Sequence, residues 1–123
     1  MSATEIDRTL AEDVLARAAE DWVSEAEVID VVRRSGVLDP LVLRDLAIGL
    51  VTRLVAEGLL TAGDIRQGRH SPWRLSPAES VLRIAREWAA APDPFLVPGE
   101  IVWLDATARG QAMGESVWRR ESS

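Results

Sequence analysis

DPLVLRDLAIGLVTRLVAEGLLTAGDI, residues 39–65, is the stretch on which the fold turns. Asp39 offers a carboxylate to the orphan N–H groups of a helix start, and Pro40 suits the first turn, where no N–H is needed. Leu43, Leu46, Ala47, Leu50 and Leu54 recur at helical spacing and form one broad apolar face. Leu41, Ile48, Val51 and Val55 extend it most of the way round. Gly58 fits the left-handed position past a helix end, and Leu59-Leu60 opens a predicted strand to about Ile65. A helix this apolar belongs at the centre of a fold. Leu50, midway along it, is expected in the core, and its truncation to alanine to cost ~3 kcal/mol.

Working outward, Ser2 and Glu5 have the spacing of a capping box and predict a first helix to about Ala19. Ile6, Leu10, Val14 and Ala18 share its apolar face, with Ala11 and Leu15 beside them. Glu5, Asp7, Glu12, Asp13 and Glu20 fall on the other, which reads as solvated. Trp22-Val23 is long enough only for a small strand. Ser24 and Glu27 repeat the capping pattern before a helix from Glu25 to about Ser35, with Ala26, Ile29 and Val32 inward; Gly36 stops it. The short linker GVLD then makes this helix and the central one a helix–turn–helix pair.

Beyond Ile65, RQGRHSPWRL reads as a loop from its Gly, Ser and Pro content. Ser76, Pro77 and Glu79 start a helix to about Ala91, with Val81, Ile84, Ala85 and Trp88 inward. EIVWLDA at 100–106 alternates as a strand. Thr107 caps a last helix to about Arg119, with Ala112, Met113 and Val117 inward.

The composition sets bounds. A chain of 123 residues is one domain, 1–123, long enough for a real core. No run approaches the ~18 apolar residues of a membrane span, so no membrane partner is expected. The acidic N-terminus lacks a signal-peptide pattern, and a cytoplasmic location is expected. All 14 basic residues are arginine, cysteine is absent and histidine is single. Thiol catalysis, lysine Schiff bases, zinc knuckles and histidine metal sites are excluded on that inventory, and no cofactor or metal is expected. His70-Ser71 lacks an orienting acid, and no carboxylate pair is set across a cleft. An enzyme is not expected.

The net charge of −6 is uneven. Residues 1–32 carry two arginines against nine acids (−7), 33–74 seven against four (+3), and 75–123 five against seven (−2). Acidic and basic surfaces therefore lie at different places on one small protein.

The order helix, short strand, helix, turn, helix, strand, loop, strand, helix resembles a winged helix-turn-helix domain over roughly residues 20–115. LVAEGLLTAGDI (54–65) resembles the third helix of that fold running into its wing. WLDATARGQAM (103–113) is similar to the returning wing strand and closing helix of multiple-antibiotic-resistance-type and phenolic-acid-type regulators. The resemblance implies a mainly α fold with a small β wing (α+β), with Leu41–Glu57 as recognition helix. One helix, 77–91, falls between the two wing strands, which leaves the pairing of 59–65 with 100–106 open.

Two functions remain. One is protein binding by a non-catalytic module of inhibitor, immunity or adaptor type, acting as monomer or homodimer. The acids Glu5, Glu12, Asp13 and Glu20 would face a basic partner, and Trp73, beside Pro72 in the loop, would anchor it. The other is DNA binding as a transcriptional regulator. Helix 41–57 would lie in the groove with Arg44 at its reading end, the arginine-rich loop 66–74 would supply Arg66, Arg69 and Arg74, and Arg33, Arg34 and Arg53 would add contacts. The net negative charge and Asp45 beside Arg44 favour the first reading.

Overall fold

The computed structural model describes residues 8–122. Its elements are α1 (Leu10–Glu20), β1 (Val23–Ser24), α2 (Glu25–Val32), α3 (Pro40–Ala56), β2 (Leu60–Arg66), β3 (Arg69–Pro72), α4 (Pro77–Ala90), β4 (Trp103–Ala106) and α5 (Ala108–Glu121). The fold is mixed α+β, with five α-helices around one antiparallel sheet of order β1-β4-β2-β3.

The cap of α1 is not at Ser2. Ser2, Glu5 and Ile6 lie outside the described residues, while Thr9, in extended conformation, and Glu12 form the reciprocal capping box that opens α1 at Leu10. The Ser24 side chain caps α2 by accepting from the Glu27 amide. Glu27 does not reach back; its carboxylate meets Arg17 on α1. After Val32 the helix tightens into a 3₁₀ turn, Arg33–Ser35, and Gly36 ends it at φ +84°, a value that favours glycine.

Helix α3 is central, as its composition requires, but the buried stripe is not the expected one. Leu43, Ala47, Val51, Leu54 and Val55 are buried. Leu50 is only half-buried, and Leu41 and Leu46 are exposed. With apolar residues on nearly every side, α3 has no amphipathic pattern to choose a face. The choice falls to α2 and α4, which pack on it.

The open pairing closes, and the segment after Ile65 differs from the expected loop. Leu60 pairs with Ala106 and Gly63 with Trp103, so β2 and β4 are antiparallel neighbours across a long insertion. Residues 69–72 form strand β3 instead of a loop, returning against β2 through Gln67-Gly68. Both turn residues have positive φ, 53° and 74°, the two-residue geometry whose twist matches a hairpin. His70 therefore sits on a strand, its Nε2 3.0 Å from the Trp103 carbonyl.

Helix α5 buries Val117 as expected, but its other inward residues are Gly110 and Gly114, while Ala112 and Met113 are exposed. A Cβ on Gly114 would strike the Leu15 carbonyl and Ala19, and one on Gly110 the Leu59 carbonyl. The two glycines let α5 lie directly on α1 and on the start of β2. The Trp118 indole donates to the Ala16 carbonyl at 2.8 Å along the same seam.

Glu25 makes the insertion possible. Its fully buried carboxylate accepts from the amides of Ala26, Gly99, Ile101 and Val102. Residues 99–102 are neither helix nor strand. Their amides have no ladder to join, and this side chain satisfies three of them as the chain enters β4.

Two substitutions test this description. Leu54→Ala is expected to cost ~3 kcal/mol in urea denaturation and Leu50→Ala only ~1, and the reverse order would put the core on the opposite side of α3. Glu25→Gln exchanges an acceptor oxygen for an N–H₂ facing N–H donors, and should cost ~2–3 kcal/mol. A neutral result would remove the carboxylate's role in holding 99–102.

Candidate functional site

The acids of α1 are largely used inside the molecule. Asp13 was expected on a solvated face and is buried instead, at 1% exposure. Three arginines converge on it: Arg8 at 2.9 Å, Arg17 at 3.1 Å and Arg34 at 3.0 Å. Arg8 also pairs with both oxygens of Glu121 at 2.6 Å and lies 4.6 Å over the Trp118 ring. Glu12 accepts from Arg120 at 2.9 and 3.2 Å. Charge thus ties α1 to α2 and α5. Glu20 is exposed, and Glu5 lies outside the described residues.

Burial pushes the Asp13 carboxyl up, but hydrogen bonds and charge from Arg17, Arg8 and Arg34 outweigh it and hold it below its ordinary value. Arg120 and the Thr9 amide hold Glu12 at about 2. A depressed carboxyl pKa contributes stability above the unfolded value, and that contribution is lost as pH falls through the folded one.

The arginines expected at DNA are of two kinds. Arg34 is bound to Asp13 and to the Arg8 carbonyl. Arg44 is engaged within the molecule, with its side chain 18% exposed and donating to Asp45 at 3.0 Å and the Ala89 carbonyl at 3.4 Å. Arg33 lies 5.0 Å over the Phe95 ring, and Arg53 meets Glu57 at 3.5 Å. On the hairpin, Arg66 has only a loose contact with Asp64 at 3.8 Å. Arg69 and Arg74 have no ion-pair partner among the described residues.

Trp73 is not a free loop anchor. It is half-buried against the core, and Arg83 of α4 lies 3.8 Å over its ring. Asp64, Arg66, Ser71, Trp73, Arg74 and Arg83 line a recess of about 480 Å³ beside the hairpin. The recess is cationic and open.

The surface that stands apart is apolar. Leu38 is 88% exposed, Leu41 54%, Val42 44% and Leu46 40%, all on the linker before α3 and its first two turns. Pro40, Leu43, Val37, Leu38, Arg33 and Phe95 line a recess of about 260 Å³ at one end of it. Single exposed leucines are ordinary, but four neighbours on one short segment are not. Gly49 belongs to the same surface. It is exposed in mid-helix, where glycine costs ~1 kcal/mol relative to alanine. A Cβ there would meet nothing within 4 Å. A helix apolar over more than half its circumference was the sequence signal for this surface, because one core can cover only part of it.

Among the described residues no group of three or more His, Cys, Asp or Glu could hold a metal ion, and no helix among them is long and apolar enough to cross a membrane. Comparison with known proteins gives no matching family model, no matching curated sequence and no matching solved structure.

Asp13→Asn should lower stability by ~3 kcal/mol near neutral pH, because three guanidinium groups lose their shared anion. The gap from the parent protein should narrow as pH falls below about 3.8, the ordinary aspartate value, and through the lowered folded value, as Asp13 itself protonates. A gap that stays constant over that range in pH-dependent unfolding would refute the role of Asp13 as the charged hub.

Proposed function

We propose that this chain is a non-catalytic protein-binding module of inhibitor, immunity or adaptor type, on a winged-helix-like scaffold. The element order α1-β1-α2-α3-β2, with β4 returning beside β2, supports the scaffold, and β3 and α4 are the insertion. The observation that carries the function is the apolar exposed face of α3. The helix that would have to read bases offers solvent Leu41, Val42 and Leu46, with Asp45 among them. Base edges are read by hydrogen-bonding side chains, and phosphates repel carboxylates. Desolvating leucine and valine against another protein is favourable by ~25 cal/mol per Å². The contact therefore belongs on α3 and its preceding linker, and not on Glu12 and Asp13, which are engaged internally.

DNA binding remains the second reading because Arg66 and Arg69 on the hairpin and Arg74 just past it stand exposed, and Arg69 and Arg74 lack an ion-pair partner among the described residues. That arrangement supports phosphate contact without base reading. Duplex DNA is accordingly expected to bind at about 10⁻⁵ M at physiological salt, without sequence preference and weakening steeply as salt rises. Selection from random duplexes that returned a defined site at nanomolar affinity would overturn the proposal.

Partners captured from the native host, identified by mass spectrometry and re-bound as purified proteins, should lose at least tenfold in affinity to Leu41→Asp. Reversing Glu12 and Asp13 to arginine bears on the α1 reading. The Glu12 reversal should leave a folded protein's binding unchanged, and slower association at low salt would return the contact to α1.

A further inference from the structure

Gly49 has no task within one copy of this chain. It is helical, it sits in the middle of α3, it is exposed, and a side chain there would meet nothing within 4 Å. Glycine is the least favourable helix-interior residue after proline, so its place here costs stability without an intramolecular return. What a glycine permits at such a place is close approach of another backbone. At about 100° per residue, the positions that share its face are Val42, Asp45, Leu46, Thr52, Arg53 and Ala56.

That face is self-complementary. Asp45 lies four residues before Gly49 and Arg53 four residues after it, and their side chains are 65% and 62% exposed. Val42 and Ala56 lie seven residues to either side. When two copies of α3 cross antiparallel at Gly49, each Arg53 comes level with the other copy's Asp45, and each Val42 with the other's Ala56. A two-fold axis demands a patch that matches itself in this way. The present partners of the two charges are weak surface pairs on the same helix, Asp45 with Arg44 and Arg53 with Glu57, and they exchange readily.

We propose that the occupant of the α3 face is a second copy of this chain, packed antiparallel across Gly49 with Asp45–Arg53 pairs in both directions. This rests on the reading of α3 as a protein-contact surface and names its partner. The apolar patch is modest in extent, which points to a reversible dimer of micromolar affinity and not an obligate one.

Sedimentation equilibrium of the full chain over a concentration series tests it. The parent protein should dimerise reversibly. Gly49→Gln should weaken the dimer at least tenfold while raising the melting temperature of dilute, monomeric protein, because the helix gains a better former and nothing inside the molecule is touched. Misfolding therefore cannot account for its effect. Asp45→Arg and Arg53→Asp should each weaken the dimer, and the double variant Asp45→Arg/Arg53→Asp should restore it. A parent protein monomeric at every concentration, or a Gly49→Gln variant that dimerises as the parent does, overturns the proposal. A double variant no tighter than the single ones overturns the antiparallel register. The protein-contact reading fails separately, when a purified partner binds Leu41→Asp as it binds the parent.

Discussion

The carboxylate of Glu25 is the constraint on which the rest of the structure depends. A strand that enters the middle of a sheet after a long excursion must arrive with its backbone satisfied, and residues 99–102 have no neighbouring strand to do this. Glu25 accepts three of their amides from a fully buried position at the start of α2. Buried charge is costly unless hydrogen-bonded, and buried amides are costly unless accepted; each removes the other's penalty. With the return fixed there, β4 can pair on one edge with β1 and on the other with β2. The β3–α4 excursion then becomes an addition to the fold and not a disruption of it.

A second set of charges closes the opposite side. Asp13 gathers arginines from before α1, from α1 itself and from the turn after α2, while Arg8 and Arg120 reach the acids of α5 and α1 in exchange. The glycines at 110 and 114 bring α5 close enough for this network to form. An acidic protein so built spends much of its charge on itself. Glu12 and Asp13 belong to a helix–helix seam more than to a docking surface.

What remains outside is correspondingly informative. Once the ion pairs are drawn inward, the solvent face of α3 is left with valine, leucines and an unsupported glycine. Its chemistry suits another protein surface, and the symmetry of Asp45 and Arg53 about Gly49 suits the same surface on a second copy. The cationic recess at the hairpin is separate from it and polar in character.

The sequence by itself determined most of the elements, because caps and breakers act locally. Asp39-Pro40, Ser76-Pro77 and Thr107 each begin a helix where the chain says they should, and Gly36 ends one. Asp13 could not be read from sequence, since its burial depends on arginines 5 and 21 residues away meeting at one point. Nor could the face of α3, since a helix apolar nearly all round carries no periodic signal and its orientation is set by what packs on it. The β3 hairpin was missed because Gln67-Gly68 is an uncommon way to write a two-residue turn, and the strand it returns is short and polar. In sequence Glu25 is only the first residue of the capped second helix. Only the arrival of a segment more than seventy residues later shows it to be a structural hub. Local backbone chemistry is encoded locally; which side of an element is covered, and which charge is buried, is decided only when distant parts of the chain meet.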